Sequence, residues 1–235
     1  MNETMVLSLI LSLFLGVIHF FSGKFKPEKG EKHFRIFSFS AGISTAYLFL
    51  YLLPHTYEAA THLKSSVFIF LLLGFALYHL SEKYLYQHSL QDRLASTKLQ
   101  KLHTIVFFIY HFMVGLVLYE KAHSSTLEAL LFLVPVGIHA ALSTASLSEI
   151  HGEFKEVLRL KLLLSSSFLL GVILALFIHI PPTVNNILVS FIAGILLYIF
   201  VKEFLPEKKE GQPIFFVIGI VLFFIFFYIH RYAIN

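Results

Sequence analysis

Apolar residues gather along this chain in eight blocks, near residues 4–22, 36–54, 65–81, 103–119, 128–148, 161–180, 187–205 and 213–230. Each is close to the roughly 20 residues that a helix needs to cross a bilayer. The pattern therefore predicts an all-α integral membrane protein with eight transmembrane helices in a single transmembrane domain, 1–235. The connections carry helix breakers: Gly23, Pro27 and Gly30 after the first block, Pro181 and Pro182 after the sixth, Gly211 and Pro213 before the eighth. The first block is read as a retained helix. Glu3 stands where a signal peptide has positive charge, and no small-residue cleavage pattern follows.

Composition agrees with a lipid solvent. Hydrophobic residues make up 57% of the 235 and charged ones 14%, with a mean hydropathy of +0.78, whereas soluble domains are about one quarter charged. A water-exposed protein of this size could not hide that much apolar surface. The pI near 9.1 does not point to nucleic acid, because the charges fall between apolar blocks and form no continuous basic face. With no cysteine, disulfides and thiolate metal sites are excluded.

The basic residues set an orientation. Lys24, Lys26, Lys29, Lys32 and Arg35 fall in the first connection; Lys83, Arg93, Lys98 and Lys101 in the third; Lys155, Arg159 and Lys161 in the fifth; Lys202, Lys208 and Lys209 in the seventh. The opposite side holds only Lys64, Lys121 and Arg231. The positive-inside rule then places both termini outside a cell (inner) membrane and loops 1–2, 3–4, 5–6 and 7–8 in the cytoplasm.

The second and seventh blocks resemble each other. Phe39, Ala41, Gly42, Ile43, Leu53 and Pro54 recur as Phe191, Ala193, Gly194, Ile195, Leu205 and Pro206, each 152 residues later. Helices two and seven cross in opposite directions, so the match is the mark of an inverted-topology repeat, in which related halves meet around a mid-membrane site. The plainer explanation is close packing at small residues, with a proline at each helix end.

Blocks four and five each hold a histidine deep in the apolar run, His111 and His139. Ionisable groups at that depth are costly and usually face the bundle interior or a hydrated path. Neutral imidazole also ligates zinc and similar cations. A single buried histidine is more often a hydrogen-bonded packing residue. Two on neighbouring helices between repeat halves give the metal reading equal weight.

At this point the chain resembles the ZIP (ZRT/IRT-like) family of divalent metal transporters. Phe39-Ser40-Ala41-Gly42 through Leu53-Pro54 looks like that family's second helix. Phe191-Ile192-Ala193-Gly194-Ile195-Leu196-Leu197-Tyr198 through Glu203-Phe204-Leu205-Pro206-Glu207 looks like its seventh. His111 and His139 fall where the family's fourth and fifth helices begin their metal motifs. The resemblance implies a 3+2+3 arrangement, with inverted repeats of helices 1–3 and 6–8 around helices 4 and 5. A homodimer would suit the family.

In that family the fourth-helix motif reads His-Asn-x-Pro-Glu/Asp-Gly, and the fifth reads His or Gln, then Glu or Asp, then x-Pro-Glu/His. Residues four apart share a helix face, so each helix would present two ligands. Here the leading histidines are present, but Phe112 and Ala140 follow them, Val114 and Leu142 hold the proline positions, and Gly115 and Ser143 replace the acids. A dication stripped of water needs anionic compensation. Glu120, Glu128 and Glu149 are read as solvated charges at span ends; Glu58, Glu203, Glu207 and Glu210 are read as gate or surface charges. What remains is a weak or transient site of His111 and His139, with Ser143, Thr144 and Met113 as candidate partners and His55 and His19 as further nitrogens. His79, His103, His151 and His179 are assigned to interfaces and loops.

The expectation that follows is a ZIP-like transporter moving zinc or a similar divalent cation by alternating access, with no tightly bound cofactor. Its partners would be the lipid bilayer and the metal ion. The same scaffold could instead carry protons or another substrate without metal, or serve a structural or regulatory role. A membrane-embedded hydrolase using Ser143 or Ser146 lacks an acid to serve as general base and any Gly-x-Ser-x-Gly motif, so no enzyme is expected.

Overall fold

The computed structural model describes residues 3–22, 30–88, 93–142, 154–204 and 211–233. Among them the chain forms α1 (Glu3–Phe21), α2 (Glu31–Tyr47), α3 (Leu53–Leu63), α4 (Ser66–His88), α5 (Arg93–Ser124), α6 (Thr126–Leu142), α7 (Phe154–Phe177), α8 (Pro182–Ile199) and α9 (Pro213–Ala233). No strand occurs among the described residues. Seven helical rods are long and apolar enough to cross a membrane, and the eighth, α6, is apolar but shorter.

The second rod is longer than its apolar block. The sequence places its end at Pro54, yet α2 continues through a π-helical turn, Leu48–Leu52, directly into α3. The Leu53 N–H bonds the Leu48 carbonyl five residues back. This wider turn brings Pro54 to the first turn of α3, where a missing N–H and a fixed φ cost little. A second π-helical turn, Phe200–Phe204, follows α8. It lies 152 residues after the first, the same offset as the sequence match. At the other end of α8, Pro181 is extended (φ −59°, ψ 145°) and Pro182 occupies the first turn. Rods α4 and α5 also outrun their apolar blocks, ending at His88 and starting at Arg93. Polar residues can continue a helix into water, so the apolar block marks the membrane rather than the helix.

Contacts fix the directions. The Gln212 N–H donates to Ser38 Oγ at 2.8 Å, and further along the Tyr47 ring meets Phe223 at 5.9 Å between centroids. So α9 runs with α2. Phe75 and Tyr198 meet at 5.3 Å and Lys202 reaches Glu82, so α8 runs with α4. Because α3 turns back into α4 through Lys64 and Ser65, with Lys64 left-handed at φ 54°, α2 and α8 are antiparallel.

These helices touch closely at glycine. A Cβ on Gly42 would collide with the Phe216 carbonyl, and one on Gly219 with that of Phe39. Gly74 and Gly194 meet the Phe191 and Leu71 carbonyls in the same reciprocal way, and Gly115 and Gly171 those of Phe168 and Phe112. Small residues let backbones approach within a membrane, where packing rather than water expulsion drives association. Burial shows which rods are central: 61% of the apolar stretch of the α2–α3 rod and 56% of that of α5 is buried, against 17% in α9. The outer flanks are apolar, with Phe14 on α1, Phe49 in the first π turn and Ile214 on α9 all exposed. Such an exterior suits lipid tails.

Candidate functional site

Three helices bring histidines into the buried core. His111 on α5 and His139 on α6 are joined by His19 in the last turn of α1, and all three are almost wholly inaccessible. The His19 and His111 rings sit edge to face with centroids 4.6 Å apart. His111 stacks on Phe168 of α7 at 4.2 Å. His19 Nδ1 shares a hydrogen bond with Ser165 Oγ at 3.3 Å. His139 stands 5.9 Å from the Tyr110 ring. The sequence offered His19 only as an additional nitrogen; the fold makes it an immediate neighbour of His111.

The other expected partners do not gather here. Met113 is half-buried and packs with the apolar core. Ser143 and Thr144 lie outside the described residues. His55 belongs to a different cluster. Gly115, which holds the place of an acid in the family motif, has another use: it lies against Gly171, where any side chain would meet backbone. Among the described residues, no three of His, Asp or Glu are disposed to hold a metal together. Beside His139 lies a small cavity of 20 Å³, lined by Ser44, Tyr47, Leu48, Leu52, Pro135, Leu196, Ile199 and Phe200. Residues from both π turns thus face the same space, which has room for one water-sized species.

Glu128 corrects the reading of end acids as solvated. Its side chain is only 16% exposed, and it gathers four groups. Oε2 accepts from Tyr51 Oη and from Lys121 Nζ at 3.0 Å. Oε1 faces His230 Nε2 at 3.0 Å, and His55 Nε2 stands 3.9 Å from Oε2. Ser125 explains the placement, since its Oγ accepts the Glu128 N–H at 3.0 Å as an N-cap does. Reciprocal capping by the Glu128 carboxylate gives way to these longer-range partners. Leu50, Tyr51, Pro54, His55, Glu58, Glu128, Phe227, His230 and Arg231 line a cavity of 270 Å³ beside it.

A second cluster sits at the far end of the antiparallel pair. Glu82 of α4 is buried, and its Oε2 accepts from Tyr198 Oη at 3.0 Å and from Lys202 Nζ. His79 packs edge-on to Tyr198 at 5.3 Å, as His55 stacks on Tyr51 at 4.3 Å. The sequence held a signal for neither cluster beyond the residue types themselves, because their members are far apart in the chain.

Compared with protein-family models, with curated proteins and with solved structures, the chain gives no match in any of the three. The class rests on the architecture alone: among the described residues, an all-helical arrangement with seven rods of membrane-crossing length and apolarity and one shorter apolar helix.

Proposed function

We propose that the chain is a membrane transporter of a divalent cation, zinc or a similar ion, working by alternating access on a ZIP-like 3+2+3 scaffold. The observation that carries this reading is the pairing of two antiparallel rods, α2–α3 and α8, whose π turns stand 152 residues apart and face the cavity beside His139. Inverted repeats flanking a buried polar site are the architecture of secondary transporters. π turns within α-helices recur at functional positions. On this reading helices 1–3 and 6–8 are the repeats. His111 and His139 bind the ion transiently, with His19 beside them, and weak binding suits an ion that must also leave. The protein sits in the cell membrane with both termini outside, and a homodimer is compatible with the scaffold.

The test is zinc flux into proteoliposomes, comparing wild type with the His111→Ala/His139→Ala variant. The expected result is flux that disappears in the variant. Folded protein that moves neither zinc nor other divalent ions above empty liposomes would overturn the reading. The metal-free alternative, a proton path through the same histidines, draws support from the carboxylates: buried Glu82 and the largely buried Glu128 belong to other clusters. It predicts proton flux without added metal, lost in the same variant.

A further inference from the structure

The first π turn divides two cavities. Leu50 and Tyr51 border the 270 Å³ cavity beside Glu128. Leu48 and Leu52 border the 20 Å³ cavity beside His139, as does Tyr47 just before the turn. The two cavities have no lining residue in common. Between them stand the turn itself and the stacked rings of Tyr47 and Tyr51, with centroids 5.3 Å apart at 25°.

The stack continues to His55, 4.3 Å from Tyr51, which borders both the 270 Å³ cavity and a wider one of 580 Å³. Three rings, four residues apart, thus stand in one column. In a regular α-helix each step of four residues overshoots a full turn by about 40°, so such a column would drift round the helix. The π turn takes up an extra residue through the bond from the Leu53 N–H to the Leu48 carbonyl and so offsets the drift.

The column is tied down at Tyr51, whose Oη donates to Glu128 Oε2. Tyr47 Oη has no hydrogen-bond partner among the described residues, and its ring is held by packing, with Phe223 at 5.9 Å. Glu128 also holds Lys121 Nζ and His230 Nε2, each at 3.0 Å. Releasing Tyr51 therefore removes one charge-assisted hydrogen bond without stripping a sheltered carboxylate of its countercharge. A bond that can break with the charge balance intact suits a contact that has to open and reclose.

We propose that the Tyr47–Tyr51 stack is the gate between the Glu128 cavity and the His139 cavity, with the π turn as its hinge and Glu128 as its latch. Latched, as here, the two rings part the cavities. When Tyr51 leaves Glu128, the turn is free to shift and the rings swing clear of the His139 side. Hinges of this kind are short segments that absorb a backbone change. The gate rests on the transport reading, which requires the core histidines to be reached from this end; it serves a metal ion or a proton alike.

The chain contains no cysteine, so a single introduced thiol reports access without background. Ser44→Cys places it in the His139 cavity and Thr61→Cys in the 580 Å³ cavity. Ser167→Cys places it in the core on α7, bordering neither gated cavity. The full chain in lipid nanodiscs is treated with a membrane-impermeant methanethiosulfonate. Ser44→Cys is expected to react far more slowly than Thr61→Cys. Tyr51→Phe removes the latch and keeps the ring. It is expected to raise the Ser44→Cys rate about tenfold or more, as one lost bond to a charged acceptor allows, and to leave Ser167→Cys unmoved. Should Tyr51→Phe fail to fold, Glu128→Gln weakens the same latch from its other side and is expected to raise the Ser44→Cys rate too. The proposal is overturned by a Ser44→Cys parent as reactive as Thr61→Cys, by a rate that neither latch variant changes, or by a rise matched at Ser167→Cys. Failure of the transport reading looks different: flux would be absent while Tyr51→Phe still opened the His139 cavity to the reagent.

Discussion

Gly42 and Gly219 meet backbone to backbone where α2 crosses α9, so close that a Cβ on Gly219 would stand 3.2 Å from the Gly42 Cα and nearer still to the Phe39 carbonyl. Gly74 and Gly194 repeat the arrangement between α4 and α8. Alanine at any of the four must push two helices apart. Each substitution is expected to lower stability by about 1–3 kcal/mol, the usual cost of overpacking a filled core. Gly137→Ala is the control, since its Cβ would find only the Leu15 and Ile18 side chains at 3.7 and 3.9 Å. Thermal unfolding in a mild detergent checks the series; equal midpoints for Gly42→Ala and Gly137→Ala would show the crossing to be looser than described.

Lys121 and Glu128 are 11% and 16% exposed, so neither charge can rely on water. Lys121→Met leaves the carboxylate without its ammonium and is expected to cost roughly 3 kcal/mol. Adding Glu128→Gln should recover most of that loss, because the uncompensated charge goes with it. The Glu31–Arg35 pair, exposed to 66% and 46%, is the contrast. Arg35→Ala should leave the unfolding midpoint where it was, as expected for a solvated pair within one helix.

Much of the architecture is legible in the residues, and the parts that are not share one cause. Seven of the eight apolar blocks fall on rods of membrane-crossing length, and the fifth on the shorter α6, because crossing a bilayer leaves a strong local mark. The Phe-x-Ala-Gly-Ile match marks two helices of opposite direction, and the structure adds that the glycine of each packs against a different neighbouring helix. It also hid something: Pro54 reads as a helix end, and only the structure shows the π turn that carries the helix past it to Leu63. His111 and His139 were visible as costly residues in apolar runs. Glu128 was not, since a carboxylate in the first turn of a helix is normally solvated or a cap, and the partners that bury it come from the first π turn, α3, α5 and α9. His230 is 102 residues from the carboxylate it faces. No spacing rule reaches across that distance.

Tyr51 and Tyr198 make the symmetry of the two clusters measurable. Each donates its hydroxyl to a glutamate that also holds a lysine. Tyr51→Phe and Tyr198→Phe each delete one hydrogen bond to a charged acceptor, for which about 1.5–3 kcal/mol is usual. Because the two tyrosines donate to different glutamates at opposite ends of the antiparallel pair, the double variant is expected to lose the sum of the single losses. Chemical denaturation of the three variants in one detergent gives the comparison. A loss confined to one tyrosine would break the correspondence between the ends.

His111 separates a ligand from a packing residue. Its ring lies flat against Phe168, at 28° and 4.2 Å, with Phe107 and His19 at its edges. Phenylalanine keeps an aromatic ring in that stack but has no nitrogen to offer a cation or a proton. If His111 only fills space, His111→Phe should fold and carry zinc as wild type does. The expected outcome is different: an unfolding midpoint within a few degrees of wild type, and zinc flux at least tenfold lower. His111→Ala is a poorer instrument, because it opens a cavity in a core where losing a large ring costs about 3–5 kcal/mol, and lost flux would then be confused with lost fold. Measured side by side, the phenylalanine variant reports on the nitrogens and the alanine variant on the packing.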